Sequence, residues 1–227
     1  MIRALLLDVE GTTTSIAFVK DVLFPYSRAR LGDFLREHAG DPEVRAQLDR
    51  LRAQAGVDGI EAALATLLRY IDEDRKDPVL KDLQGRIWRE GYRTGAFVAH
   101  LYPDVAPALR RFKQAGLLLY VFSSGSIEAQ KLLFLHTEAG DVSELFSGFF
   151  DTSSGKKTDA DSYRTIAASI GLPAAEIAFL SDVVAELDAA REAGLVTLWV
   201  DRDSAAGGGS HRRVTSFDGL ALADLRP

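Results

Sequence analysis

Residues 4–15 read ALLLDVEGTTTS. Four apolar residues run straight into Asp8, Glu10 follows two positions on, and Gly11 opens onto three threonines. A short, continuous apolar run bounded by turn residues suits a parallel strand buried on both faces. An acid that ends such a strand is costly unless it is paired or used. Ligands of open α/β sheets gather outside the carboxyl ends of the strands. The stretch therefore predicts a parallel sheet with Asp8 on its functional edge.

Working outward, similar apolar runs recur at residues 117–122, 177–180 and 195–200, with residues 2–7 as the first. Helical periodicity lies between them, over 104–115, 126–138, 162–170 and 183–193. Gly116, Gly171 and Gly194 stand where helices should stop. Alternation of this kind implies right-handed crossovers and an α/β fold with a doubly wound parallel sheet. Residues 18–98 break the pattern. Three apolar stripes at helical spacing fill them: Val44, Leu48, Leu51 and Ala55; Ile60, Leu64, Leu67, Leu68 and Ile71; Val79, Leu80, Leu83 and Ile87. The expected organisation is an α/β core made of residues 1–17 and 99–227, with an inserted all-helical domain over 18–98. The stretch SAAGGGSHRR, residues 204–213, has the composition of a flexible loop.

With 227 residues, 47% hydrophobic and 26% charged, the chain can build a sizeable core. Its net charge of −6 argues against nucleic acid or an anionic membrane as partner, since both select basic surfaces. A small anionic substrate remains compatible, because local lysines and amides can override the global sign. The absence of cysteine removes disulfides, thiolate metal sites and thiol nucleophiles. The first apolar run is too short for a signal peptide, and no apolar stretch is long enough to span a bilayer. A cytoplasmic enzyme acting as a monomer is expected. His38, His100, His136 and His211 show no metal-ligand spacing and read as structural or surface residues.

Polar groups converge on the predicted strand edge. The run 117–122 ends in SSGS, residues 123–126, opening a helix. The run 177–180 ends in Ser181 and Asp182, with Glu186 four residues beyond. Between them, SSGKKTD, residues 153–159, places Lys156 and Lys157 in a turn before a helix. Singly, each has an ordinary explanation: SSGS and Asp182 as helix caps, Lys157 as a solvated charge. Jointly they make phosphoryl chemistry. Carboxylates from two strands form an oxygen site for Mg²⁺. Asp8 can attack phosphorus to give an aspartyl phosphate. Ser123 and the amides after it can hold phosphate oxygens at a helix N-terminus. A lysine can neutralise the transferring group, and Glu10 can protonate the leaving oxygen and later accept a proton from water.

The order of these residues resembles the haloacid dehalogenase superfamily of aspartate-nucleophile phosphatases. More narrowly, DVEGTTTSIAFVKDVLFPY, SSGSIEAQKLLF, FFDTSSGKKTDADSYRTIA and FLSDVVAELDAA look like the enolase-phosphatase (acireductone synthase) family of methionine salvage, to about residue 200. Glu10 in the third position of the first motif, where the superfamily usually has Asp, and the FVKDVLFPY continuation carry the narrower match. The resemblance implies a bifunctional, Mg²⁺-dependent enzyme. It would enolise 2,3-diketo-5-methylthiopentyl-1-phosphate and then remove the phosphate to give the acireductone. Carried over position by position, Asp8, Glu10 and Asp182 would surround Mg²⁺, with Glu10 using its backbone carbonyl. Asp8 would be the nucleophile and Glu10 the proton-transfer group. Ser123, Ser124 and Lys157 would bind the substrate phosphate, Glu186 would support the metal ligands, and the helical insertion would be the cap.

Two departures stand out. DRDSAAGGGSHRR replaces an Arg-Pro-Gly-Asn-like turn after Val200, in a loop expected to carry none of the chemistry. Ser181 occupies a position where the superfamily often has Gly, with little consequence expected. The residues alone leave open a phosphatase of the same fold acting on a sugar phosphate or phosphoglycolate, and a catalytically silent interaction module. They do not identify the base for enolisation.

Overall fold

The computed structural model describes residues 1–202 and 209–221. Two compact units are present, Met1–Ile16 with Ala99–Pro227, and Ala17–Val98.

The first unit is built on a six-stranded, fully parallel sheet. Its strands are β1 (Ala4–Leu7), β2 (Leu118–Phe122), β3 (Gly148–Phe150), β4 (Ile177–Ser181), β5 (Val196–Val200) and β6 (Arg212–Val214), in the order β3-β2-β1-β4-β5-β6. The order reverses direction at β1, so Asp8 emerges at the switch point, where the loops after β1 and β4 part. Every side chain of β1 is fully buried, as a central strand covered on both faces requires. On one face Ala4 and Leu6 pack with Phe179, with Tyr163 and Ile166 of α7 (Ala160–Ile170) and with Leu187 and Ala190 of α8 (Val184–Glu192). The opposite face carries Leu5, Leu7, Leu119 and Val121, by the alternation of a strand. Helix α5 (Val105–Gln114) leads into β2, and α6 (Ile127–Leu135) connects β2 to β3.

Two strands differ from expectation. β3 has three residues and β6 lies within the stretch read as a loop; residues 204–208 of that stretch lie outside the described residues. Both are edge strands, too short for a periodic signal. The exposed Arg212 and Arg213 of β6 read as solvated loop, yet charge on an edge discourages pairing with another chain. The helix expected over 126–138 is shorter, ending at Leu135.

The second unit is helical: α1 (Phe24–His38), preceded by a π-helical turn over Phe18–Leu23, then α2 (Pro42–Ala55), α3 (Ile60–Asp72) and α4 (Pro78–Arg93). Every residue of the three sequence stripes belongs to its core, around Leu31, Leu35, Leu67 and Leu83. Local signals fix the boundaries. Asp77 accepts from the N–H groups of Val79 and Leu80, with Pro78 in the first turn, and Gly56 closes α2 in the left-handed conformation.

Candidate active site

The last ladder bond of the β1 edge runs from the Asp8 N–H to the Leu180 carbonyl, 3.0 Å. Beyond it the chain turns back on itself, and the three threonines hold that turn. Val9 O accepts from the N–H groups of Thr13 and Thr14, 2.9 and 3.0 Å. The Thr13 hydroxyl donates to Asp8 O at 3.1 Å, and the Thr14 hydroxyl to His100 O at 2.6 Å. The Thr12 hydroxyl accepts from the Asp182 N–H at 3.0 Å and lies 3.4 Å from Asp182 Oδ1. All three threonines are fully buried. A loop of hydroxyls follows the strand because a buried turn must satisfy its own backbone.

Asp8 itself is buried and fully partnered. Its Oδ1 accepts from the Val9 N–H at 2.7 Å and is ion-paired with Lys157. Its Oδ2 lies 3.0 Å from the Ser181 hydroxyl. Lys157 also reaches Glu186 Oε2 at 2.7 Å, and Ser181 Oγ stands 3.0 Å from the same oxygen. The lysine is held from behind: its carbonyl accepts from the Tyr163 hydroxyl at 2.7 Å, and its ammonium lies over the Phe122 ring. On the neighbouring loop, the Ser123 hydroxyl is 3.4 Å from Glu10 Oε2 and accepts from the Gly125 N–H at 3.0 Å.

Negative charge exceeds positive charge in this cluster. Burial, reinforced by the Asp8 charge, raises the carboxyl of Glu10 above its usual range. The same two causes raise Asp182 to about 6 and, partly offset by Lys157, Glu186 to about 7. Burial opposes the Lys157 charge, but Asp8 and Glu186 outweigh it and push the ammonium's pKa upward. Four carboxyl groups thus share one ammonium, a deficit that suits a hard, oxygen-seeking cation. Among the described residues no three His, Cys, Asp or Glu side chains gather closely enough to cage a metal on their own.

The structure sorts the sequence candidates. Asp8, Lys157, Glu186, Glu10, Ser123 and Asp182 converge on one edge. Lys156 is exposed, which separates the two adjacent lysines. Ser124 is exposed as well. Within SSGS, Ser126 is the ordinary helix cap, accepting from the Ala129 N–H at 3.2 Å, which leaves Ser123 free of that duty. Asp182 does not cap α8, which begins at Val184 with Val183 at its N-cap and no side-chain cap.

One expectation needs correction. Ser181 is not inconsequential: it is fully buried between Asp8 and Glu186. The segment after Val200, expected to carry none of the chemistry, reaches the turn after β1 through one structural contact. The Arg202 guanidinium donates twice to Thr12 O, at 2.9 and 3.2 Å, and pairs with buried Asp104 at 2.7 Å, between the rings of Tyr102 and Phe217. It braces the turn that carries Thr12 against Asp182. An isolated Arg in a Gly-rich stretch gives no signal of this in sequence.

A strand-end aspartate paired with a buried lysine, at the switch point of a parallel sheet, is the machinery of haloacid dehalogenase-like hydrolases. The sequence model of that family, "Hydrolase: haloacid dehalogenase-like hydrolase", matches residues 2–194. Among similar curated proteins, "Enolase-phosphatase E1" of Pseudomonas aeruginosa (strain UCBPP-PA14) is 57% identical, with 97% of this chain and 99% of that one aligned. The Stenotrophomonas maltophilia (strain K279a) protein of the same name is 54% identical, at 97% and 99% coverage. A crystal structure of the UTR4 protein of Saccharomyces cerevisiae superimposes with a TM-score of 0.84 at 35% identity, covering 97% of this chain and 100% of that one. The chain belongs to the enolase-phosphatase family of haloacid dehalogenase-like hydrolases.

Gly11 tests how finely the edge is set. Its φ is +77°, and a Cβ there would stand 2.3 Å from Asp182 Oδ2. Gly11→Ala must therefore strain the turn and displace Asp182. Since about 1 Å of misplacement can cost roughly 100-fold, phosphate release should fall by about that factor with far-UV circular dichroism unchanged. Turnover within about threefold of wild type would show that Asp182 tolerates the shift.

Proposed function

We propose that the enzyme converts 2,3-diketo-5-methylthiopentyl-1-phosphate to its enol and then dephosphorylates it to the acireductone, both steps using the Asp8 edge. The observation that carries this is the Asp8–Lys157–Glu186 cluster beside the Glu10–Ser123 pair, in a chain so similar to enolase-phosphatases along its whole length.

Asp8 acts as the nucleophile. One carboxylate oxygen bonds to phosphorus as the ester oxygen leaves, giving an aspartyl phosphate. Lys157 holds the nucleophile in place and neutralises charge on the transferring group. Glu10 enters with a raised pKa, suited to donating a proton to the leaving oxygen and then taking one from the attacking water. Ser123 and the N–H groups opening α6 hold phosphate oxygens, with Ser124 beside them. Enolisation needs removal of a C1 proton next to a carbonyl, and Glu10 is the carboxylate we assign to it.

Mg²⁺ is the cation we assign to the charge deficit, held by Asp8, Asp182 and the main-chain carbonyl of Glu10, with Glu186 supporting them. Bound there, it would supply a Lewis acid for phosphoryl and enolate oxygens. Oxygen donors without Cys or clustered His favour it over Zn²⁺. Removal of metal with EDTA should lower phosphate release to about 1% or less, and added Mg²⁺ should restore it. Full activity after thorough chelation would remove the metal from the reaction.

The deciding assay supplies the diketo phosphate and records ultraviolet absorbance of the conjugated enol alongside phosphate release. Release of phosphate from simple esters without acireductone formation would reduce the enzyme to a plain phosphatase.

A further inference from the structure

Ser181 has one hydroxyl proton and two anionic claimants. Its Oγ is 3.0 Å from Asp8 Oδ2 and 3.0 Å from Glu186 Oε2, while the Val183 N–H donates to the same oxygen at 3.1 Å. A hydroxyl can donate to only one acceptor at a time. Lys157 spans the same two carboxylates from the other side, touching Asp8 Oδ1 and Glu186 Oε2. The four side chains form a closed, buried ring. Asp8 is 2%, Ser181 0%, Lys157 7% and Glu186 9% exposed, so each group's solvation is supplied largely by the others.

The reaction proposed above changes the charge of one member of this ring. While Asp8 is a free carboxylate, Oδ2 is a strong acceptor and competes with Glu186 for the proton. Once Asp8 carries the phosphoryl group it is an acyl phosphate, and its carboxyl oxygens accept weakly. Glu186 is then the stronger anion in reach of the hydroxyl. When water cleaves the acyl phosphate, the Asp8 carboxylate returns.

We propose that Ser181 is a positioning residue whose hydroxyl donates to Asp8 in the free enzyme and turns to Glu186 when Asp8 is phosphorylated. No bond to the proton breaks; only its acceptor changes. In the first arrangement the hydroxyl fixes the rotation of the Asp8 carboxylate, so that its orbitals face phosphorus. In the second it keeps Glu186 and Lys157 in register for the hydrolytic step. Both half-reactions therefore depend on the hydroxyl. The inference rests on the aspartyl-phosphate reading.

The test is rapid-quench kinetics with the diketo phosphate and Mg²⁺, following the phosphorylated protein by intact mass, for wild type, Ser181→Ala, Ser181→Gly and Ser181→Thr. Ser181→Ala and Ser181→Gly should slow both formation and loss of the phosphoenzyme by about tenfold or more, with KM within about threefold of wild type. Ser181→Thr, which keeps the hydroxyl, should recover most of both rates. A purely structural role would instead lower the melting temperature and the amplitude of the phosphoenzyme burst while leaving the rate constants of the folded fraction unchanged. Wild-type rate constants in Ser181→Ala or Ser181→Gly would overturn the proposal alone. A wild-type enzyme that never gains the mass of a phosphoryl group would overturn it together with the aspartyl-phosphate reading.

Discussion

Asp8→Asn should yield a folded enzyme that releases no measurable phosphate, a loss of about 10⁴-fold or more. The amide keeps the side chain's volume but cannot form the acyl phosphate. It also turns a carboxylate paired with Lys157 and facing Ser181 into a neutral group, so the ring around it loses an anion. Enolisation makes a different demand. It needs a base and a stabilised enolate, and Asp8 enters as nucleophile only in the second step. Some enol should therefore accumulate in Asp8→Asn and be seen by its ultraviolet absorbance. Appreciable phosphate release by the folded variant would end the nucleophile assignment. Failure to build up enol while metal and substrate still bind would mean that Asp8 takes part in proton transfer.

Lys157→Met should reduce kcat/KM by about 100-fold or more, about 3 kcal/mol of transition-state stabilisation. The geometry adds a feature that a simple phosphate ligand would lack. Lys157 is buried against Asp8 and Glu186, so its loss leaves two carboxylates without their cation, and kcat should fall as well as substrate affinity. The protein should also lose about 3 kcal/mol of stability to denaturant, because breaking a buried ion pair strands its partners. Lys156→Met is the control. Its side chain is exposed, and the change should alter kcat/KM by less than about threefold. Equal losses at the two positions would show that the ion pairs described here are not those of the working enzyme.

The central strands could be read from the chain because burial on both faces leaves uninterrupted apolar runs, and Asp8 was conspicuous because it ends one. The helical unit was readable for a similar reason: its apolar stripes have the period of the helix. The edge strands were not. Gly148–Phe150 and Arg212–Val214 have three residues each, too few for the alternation to repeat, and owe their conformation to a neighbouring strand. In the site, Asp8, Asp182 and Lys157 were recoverable as charged residues at strand ends and turns. Ser181 and Arg202 were not. The inward direction of one hydroxyl, and the reach of a guanidinium to a carbonyl on a distant turn, are set by tertiary packing. A sequence records neither direction nor reach.

The brace from Arg202 to Thr12 has a consequence for how the enzyme comes to life. Asp8 lies far upstream of its partners: Lys157 is 149 residues downstream, Ser181 173, and Arg202 stands 190 residues beyond Thr12. Each contact closes a long loop, whose entropy must be lost before the contact gives anything back. Synthesis proceeds from the N-terminus at about 5–20 residues per second. Until those residues are made, the nascent chain carries Asp8 without the Lys157 that pairs it and without the Arg202 that braces its turn. Asp8 therefore gains its ion pair only after Lys157 has been made, and the turn that follows it gains its brace only after Arg202.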